Sequence, residues 1–209
     1  MNLFINYFDH KDRQRRKEIE YCLELNEANK HIKNIIVVNR GNRATFGEFF
    51  QLMRPYKNDV NIIANLDIWF DETIKLADTI LPMTCYALTR WEQLGNKIIP
   101  FADRHGKRVP AAWSQDAWIF RGAPNPTGFD SVKAVDLNTR KNVQIPFGMG
   151  IAGCDNKLAA MLTERQYTVL NPSYSIRAVH VHKSNGREYP PYQILSGIRP
   201  YGLVHPRAL

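Results

Sequence analysis

The sequence has no hydrophobic run long enough to cross a membrane. A transmembrane helix needs about 20 consecutive apolar residues, whereas the apolar runs here, such as residues 35–38, are far shorter. The first residues also lack the basic and then apolar pattern of a secretory signal. These absences predict a soluble cytoplasmic protein with no membrane partner.

Cysteine is scarce as well. The three cysteines, Cys22, Cys85 and Cys154, are far apart and odd in number. A disulfide framework is expected to have an even number of cysteines, and a zinc finger needs closely spaced ligand pairs. The sequence therefore predicts reduced thiols, as in cytosolic proteins.

Acidic residues are too few to balance the basic ones. The chain has 28 Lys and Arg against 20 Asp and Glu, which gives a net charge of +8. Such an excess favours a partner rich in negative charge, either a nucleic acid or a diphosphate-bearing small molecule. The positive charge is concentrated in residues 11–17 and 97–108. Each stretch is either a solvated face, as charge runs usually are, or part of a phosphate-binding surface.

What the sequence does contain is enough apolar material for a sizeable core. Of the 209 residues, 44% are hydrophobic, which excludes wholesale disorder and fits one domain. In the first half, strands alternate with helices, and Thr45 followed by Glu48 forms a capping box at a helix start. This alternation predicts an α/β fold with a mostly parallel central sheet.

The second half is predicted to be less regular. Residues 95–110 are expected to form a loop or hairpin, and residues 113–120 a strand or short turn. A helix follows residues 153–156, and residues 186–209 form an irregular tail that wraps the surface.

Residues 61–71, with the sequence NIIANLDIWFD, are the stretch around which we expect the fold to be organised. An apolar run that ends abruptly in polar residues predicts a buried strand whose end meets a site. Asp67 would then lie at a cleft, because ligands bind beyond the carboxyl ends of parallel strands. The alternative is that Asp67 only caps the next helix.

Together with two later motifs, this stretch resembles the GT-A class of nucleotide-sugar-dependent glycosyltransferases. The later motifs are Gly153-Cys154-Asp155 and the pair His180 and His182, and the resemblance covers residues 1–185. It implies a single GT-A-like, Rossmann-like domain. Residues 1–92 would bind the nucleotide-sugar, and residues 93–185 would bind the acceptor and carry catalysis.

The resemblance implies a metal site and a donor site. Asn65-Leu66-Asp67 stands where the class has its DxD motif, with Asn in place of the first Asp. Asp67 would bind Mn²⁺ or Mg²⁺, Asn65 would give polar support, and a histidine would complete the site. We expect that histidine to be His182 or, as second choice, His180; the alternative is that both are merely exposed polar residues.

The implied donor is a nucleotide-sugar, a UDP-sugar above all. At the end of the first strand, Tyr7 and Asp9 would contact its base and ribose. Arg90 and Arg177 would contact its diphosphate.

An inverting transfer also needs a carboxylate base. Asp155 is our first choice, because a helix N-terminus favours its ionised form. Asp116 is the rival, with an acceptor-orienting role as its alternative.

Two classes of function stay open at this point. The first is a metal-dependent glycosyltransferase, acting on a saccharide or on a hydroxymethylated base in DNA, as some bacteriophage enzymes do. The second is a non-catalytic nucleic-acid-binding protein whose tryptophans stack on bases. These tryptophans are Trp69, Trp91, Trp113 and Trp118.

Overall fold

The computed structural model of the chain describes residues 1–8, 10–38, 43–105, 110–181, 190–195 and 202–209. In chain order, the strands are β1 (Asn2–Asn6), β2 (Asn34–Val38), β3 (Val60–Ala64), β4 (Ile68–Phe70), β5 (Thr84–Thr89), β6 (Trp91–Leu94), β7 (Lys97–Pro100), β8 (Gln115–Arg121), β9 (Ser131–Asp136), β10 (Asn142–Pro146), β11 (Thr168–Leu170), β12 (Ala178–His180) and β13 (Tyr192–Gln193). The α-helices are α1 (Arg13–Ala28), α2 (Phe46–Met53), α3 (Phe101–His105) and α4 (Cys154–Glu164), and 3-10 helices span Arg54–Tyr56, Glu72–Thr79 and Ala111–Trp113.

A six-stranded sheet lies at the centre of the fold, in the order β2-β1-β3-β8-β5-β11. β1 pairs in parallel with β2 and β3, and β11 pairs in parallel with β5. Only β8 runs against its neighbours, β3 and β5. The predicted α/β class with a mostly parallel central sheet is therefore confirmed, with one antiparallel strand in its middle.

The central strands are apolar on both sides because the sheet separates two cores. Side chains of a strand alternate between the faces, so Ile63 packs into one core with Phe46, Phe50 and Trp118. Its neighbour Ile62 packs into the other core, on the opposite face. A strand buried on both faces has a continuous apolar sequence, which is what β3 shows.

Helix α2 begins where the sequence predicts. Thr45 Oγ1 accepts a hydrogen bond from the Glu48 backbone N–H at 3.1 Å, and Glu48 Oε2 accepts one from the Thr45 N–H at 2.7 Å. The predicted capping box is thus confirmed. It fixes α2 over the first core, into which Phe46, Phe49, Phe50 and Met53 are buried.

The buried strand predicted at the start of residues 61–71 is confirmed, but the turn and the second strand that follow it were not predicted. β3 ends at Ala64, and the chain turns so that the Ile68 N–H donates to the Asn65 carbonyl. β4 then joins a second sheet, in the order β4-β12-β6-β7. This turn places Asn65 and Asp67 between the two sheets.

In the second half of the chain, one hairpin agrees with the sequence prediction and another strand pairing does not. Residues 95–110 do contain a hairpin strand, because β6 and β7 pair antiparallel. The β9–β10 hairpin was not predicted, and β13 pairs with β9. The tail therefore contributes a strand and is not irregular throughout.

No helix among the described residues is long and apolar enough to cross a bilayer.

Gly153, just before α4, provides a test of how the tail is held. Its φ is +84°, and a Cβ there would lie 2.1 Å from the Ile194 carbonyl oxygen. Gly95 has a similar φ of +61° but nothing within 4 Å of the added atom. Both Gly→Ala changes introduce left-handed strain of about 1–2 kcal/mol, and Gly153→Ala must also displace the Ile194 backbone. We expect urea unfolding to show the larger loss for Gly153→Ala; equal losses would contradict this packing.

Candidate active site

A cavity of about 1220 Å³ lies at the carboxyl ends of the parallel strands. Phe8 follows β1, Asn65 and Asp67 follow β3, and Arg90 follows β5, and all four line the cavity. The amino end of the antiparallel strand β8 adds Asp116. Further lining comes from residues 150–156, Pro190, residues 192–195 and Leu203. The strand ends therefore converge on one cavity, as expected for an α/β sheet.

Asp67 lies in this cavity and is only 8% exposed. Its Oδ2 accepts hydrogen bonds from Arg15 and from His180 Nε2, the latter at 2.9 Å. Burial opposes the charged form, but His180 and Arg15 outweigh it and hold the pKa of Asp67 far below its usual range. Asp67 does not cap a helix; the cap of the following 3-10 helix is Asp71.

His180 stands between two carboxylates. Its Nε2 faces Asp67, and its Nδ1 lies 3.0 Å from Glu92 Oε2. Burial favours the neutral ring, but the two carboxylates outweigh it and raise the pKa of His180. Glu92, 1% exposed, also accepts from Arg90 Nε at 2.7 Å and Arg104 Nη1 at 2.6 Å.

These contacts form one chain of alternating charges. Arg15 begins it by bridging Asp67 and Glu18, and Arg90 ends it by bridging Glu92 and Asp116. Buried charges are tolerated when each has a partner of opposite sign and further hydrogen bonds. This chain of charged side chains connects α1 to both sheets, so it fixes the strand ends that line the cavity. In order it consists of Glu18, Arg15, Asp67, His180, Glu92, Arg90 and Asp116.

Asp116 is held rigidly at the end of this chain. Its carboxylate accepts from Asn65 Nδ2 at 2.6 Å and from Arg90 Nη1 at 2.8 Å. The sequence predicts Asn65 at the metal site and Arg90 at the diphosphate of the nucleotide-sugar. In the structure both residues also position Asp116.

Asp155 has a different environment. It lies in the first turn of α4, lines the cavity, and accepts from the Cys154 thiol at 3.0 Å. Among the described residues it has no ion-pair partner. Burial, aided by the charge of Asp116, raises the pKa of Asp155 to about 7. The predicted direction, a helix dipole favouring the ionised form, is therefore wrong, because burial has the larger effect.

The expected metal can be tested against the donor atoms present. Asp67 Oδ2 and His180 Nε2 face each other, and Glu92 fixes the His180 ring through its other nitrogen, as second-shell carboxylates do. A carboxylate is a ligand that suits Mn²⁺ or Mg²⁺, whereas an imidazole is more typical of later transition metals. No group of three or more His, Cys, Asp or Glu side chains placed for a metal occurs among the described residues. Asp67 and His180 are two of the predicted ligands, but their facing atoms are hydrogen-bonded to each other, so a metal would have to displace that contact. His182 lies outside the described residues.

Two other predicted contacts, Arg177 and Tyr7, are not among the described residues that line the cavity. Arg177 pairs with Asp71 and lies over the Trp91 ring. Asp9 lies outside the described residues.

The four tryptophans have unequal access. Trp113 lines the cavity and is 54% exposed, so its ring is open for stacking. Trp118 also borders the cavity but is 1% exposed and packs in the core. Trp69 and Trp91 donate their indole N–H groups to Gln93 and to the Ser173 carbonyl. The prediction that Trp118 stacks on a base is wrong.

The basic run at residues 11–17 divides between solvent and site. Lys11, Arg13 and Lys17 are exposed, whereas Arg15 turns inward to Asp67 and Glu18. Sequence reasoning missed both Arg15 and Glu92. Arg15 lies three residues before Glu18, the spacing of a helical ion pair, but its neighbours in the run have the same charge.

Glu92→Gln tests the charged chain. The change leaves His180, Arg90 and Arg104 without their shared anion, and breaking such a buried set costs about 3–5 kcal/mol. Because the pKa of Glu92 is lowered in the fold, its contribution is present above its unfolded pKa of about 4.3 and lost as pH falls further. We expect urea unfolding to show a large loss at pH 7 that shrinks below pH 4. The exposed Glu164→Gln should change little; equal effects would contradict this role.

No protein-family model and no curated protein matches this chain. The resemblance of the strand-end motifs to the GT-A class has no independent support from sequence comparison, and the function has to be inferred from the cavity.

Proposed function

We propose that this protein is a glycosyltransferase that moves a sugar from a nucleotide-sugar, with a UDP-sugar as the favoured donor, to a hydroxyl group of an acceptor. The observation that carries the proposal is Asp155, a cavity carboxyl group whose pKa is raised to about 7. A general base works best when its pKa lies near the operating pH.

The contrast between Asp155 and Asp116 supports an acid–base role. Asp116 has Asn65 and Arg90 as donors, whereas the Cys154 thiol is the one side-chain donor to Asp155 among the described residues. Titratable groups whose environments push their pKa values apart are typical of acid–base pairs. Asp155 thus takes up the proton, and Asp116 orients the acceptor substrate.

The size of the cavity suits two substrates. Pockets of about 300–1,000 Å³ hold one drug-sized ligand, and this cavity measures about 1220 Å³. A donor on the Asp67 side and an acceptor on the Asp155 side can therefore be bound together. When bound, Mn²⁺ or Mg²⁺ at Asp67 and His180 would neutralise charge on the departing nucleoside diphosphate.

The transfer step follows from this arrangement. Ionised Asp155 accepts the proton of the acceptor hydroxyl while that oxygen bonds to the anomeric carbon. The bond from the anomeric carbon to the diphosphate oxygen breaks, and its electron pair leaves with the diphosphate. The configuration at the anomeric carbon is inverted, and the proton remains on Asp155.

A non-catalytic nucleic-acid-binding protein is the second candidate. The exposed Trp113 and the exposed Lys11, Arg13 and Lys17 favour it, because stacking and phosphate contacts suffice for such binding. Only the enzyme requires Asp155 to titrate.

Asp155→Asn tests the base. Turnover should fall by about 10²–10⁴-fold, as for loss of a general base, while binding of the donor survives. The base must be ionised to act, so wild-type kcat/KM should rise as pH increases through about 7. The residual activity of the variant should lack this rise. If Asp116→Asn shows this behaviour and Asp155→Asn does not, the two roles must be exchanged.

Asp67→Asn tests the donor side. We expect the variant to lose Mn²⁺-assisted binding of UDP, measured by calorimetry. Because Asp67 has two cationic partners, the variant should also be less stable, so binding is measured well below its melting temperature. Asp71→Asn, which weakens the ion pair with Arg177 outside the cavity, is the matched control. Unchanged UDP binding in the folded Asp67→Asn variant would contradict the assignment.

A further inference from the structure

Among the described residues, Arg43 differs from the other two arginines that line the cavity, Arg15 and Arg90. Arg15 and Arg90 each bridge two carboxylates. Arg43 has no carboxylate partner among the described residues, and its Nη1 donates to the Met149 carbonyl at 2.9 Å. It therefore brings a positive charge to the cavity wall that no described acidic side chain pairs with.

The backbone at Gly150 leaves room for this guanidinium. Gly150 has φ of +79°, and a Cβ there would lie 2.1 Å from Arg43 Nη1. The guanidinium thus lies directly on the Gly150 backbone, where any other residue would displace it. The residue as a whole is exposed, and partial loss of water around the guanidinium lowers the pKa of Arg43.

Arg43 lies on the base's side of the cavity. Its contacts, Met149 and Gly150, belong to the turn that leads into α4, and the Cys154 N–H donates to the Ile151 carbonyl of the same turn. Asp155 is the next residue along α4. Arg43 and Asp155 both line the cavity, so one acceptor can contact both.

We propose that Arg43 binds a phosphate group of the acceptor, so that the acceptor is a nucleotide or a nucleic-acid strand. This inference rests on the proposed function, which makes Asp155 the base. A guanidinium binds phosphate oxygens through paired, charge-assisted hydrogen bonds. The net charge of +8 favours a phosphate-bearing acceptor, and the exposed Trp113 offers a face for stacking its base.

The first experiment compares thymidine with thymidine 5′-monophosphate, which differ only by the phosphate. Each is titrated by calorimetry into protein saturated with UDP and MnCl₂. Wild-type protein should bind the monophosphate at least about tenfold more tightly, the scale of a charged hydrogen bond. Arg43→Gln should remove this preference, and Arg43→Lys should retain part of it. Arg54→Gln, at an exposed arginine outside the cavity, is the matched control and should keep it.

The second experiment separates a free nucleotide from a strand. Affinity for a single-stranded thymidine 12-mer is measured across a salt series, because each phosphate contact contributes to the salt dependence. For a nucleic-acid acceptor, Arg43→Gln should reduce the slope of log K against log salt by about one. An unchanged slope, together with the loss of preference above, supports a free nucleotide.

Two results would overturn the inference: no preference of the wild-type protein for the monophosphate, or a full preference in folded Arg43→Gln. Its failure is distinguishable from that of the proposed function. If UDP does not bind to wild-type protein, the donor assignment fails, and the comparison of the two thymidine ligands is made without UDP.

Discussion

The rest of the site depends on one buried interaction, the imidazole of His180 held between Asp67 and Glu92. Asp67 follows a strand of the central sheet, whereas His180 and Glu92 belong to the second sheet. The interaction therefore joins the two sheets at the edge where the cavity opens. Arg15 and Arg90 extend it to α1 and to β8. Breaking buried ion pairs of this kind is costly, because each lost partner leaves an uncompensated charge.

The distribution of charge along the cavity wall is uneven, and the proposed function rests on this unevenness. On the side of Asp67, each carboxylate of the chain has cationic partners. On the side of α4, the described residues provide no counter-ion for Asp155 and none for Arg43. The pKa of Asp155 is therefore raised to about 7, a value that suits a general base near neutral pH. Arg43 cannot lose its proton in this range, so its charge is available to a ligand.

The sequence predicts the positions of the acidic residues better than their surroundings. Asp67 and Asp155 follow an apolar strand and a glycine turn, patterns that place side chains at the edge of an α/β sheet, and both line the cavity. The turn at Asn65 escaped prediction because it depends on the distant Asp116 backbone, which accepts from the Asn65 N–H. The pKa of Asp155 was misjudged for a related reason: the helix N-terminus is local, whereas the burial that dominates comes from the tertiary fold.

The most direct test of the central claim is a thermal-shift measurement of the wild-type protein against a panel of nucleotide-sugars, each with and without Mn²⁺. A ligand that binds only the folded state raises the melting temperature with concentration. The account predicts that at least one nucleotide-sugar, with UDP-sugars favoured, raises the melting temperature more than its free sugar does, and that Mn²⁺ enlarges the shift. No shift with any nucleotide-sugar at millimolar concentration would contradict it.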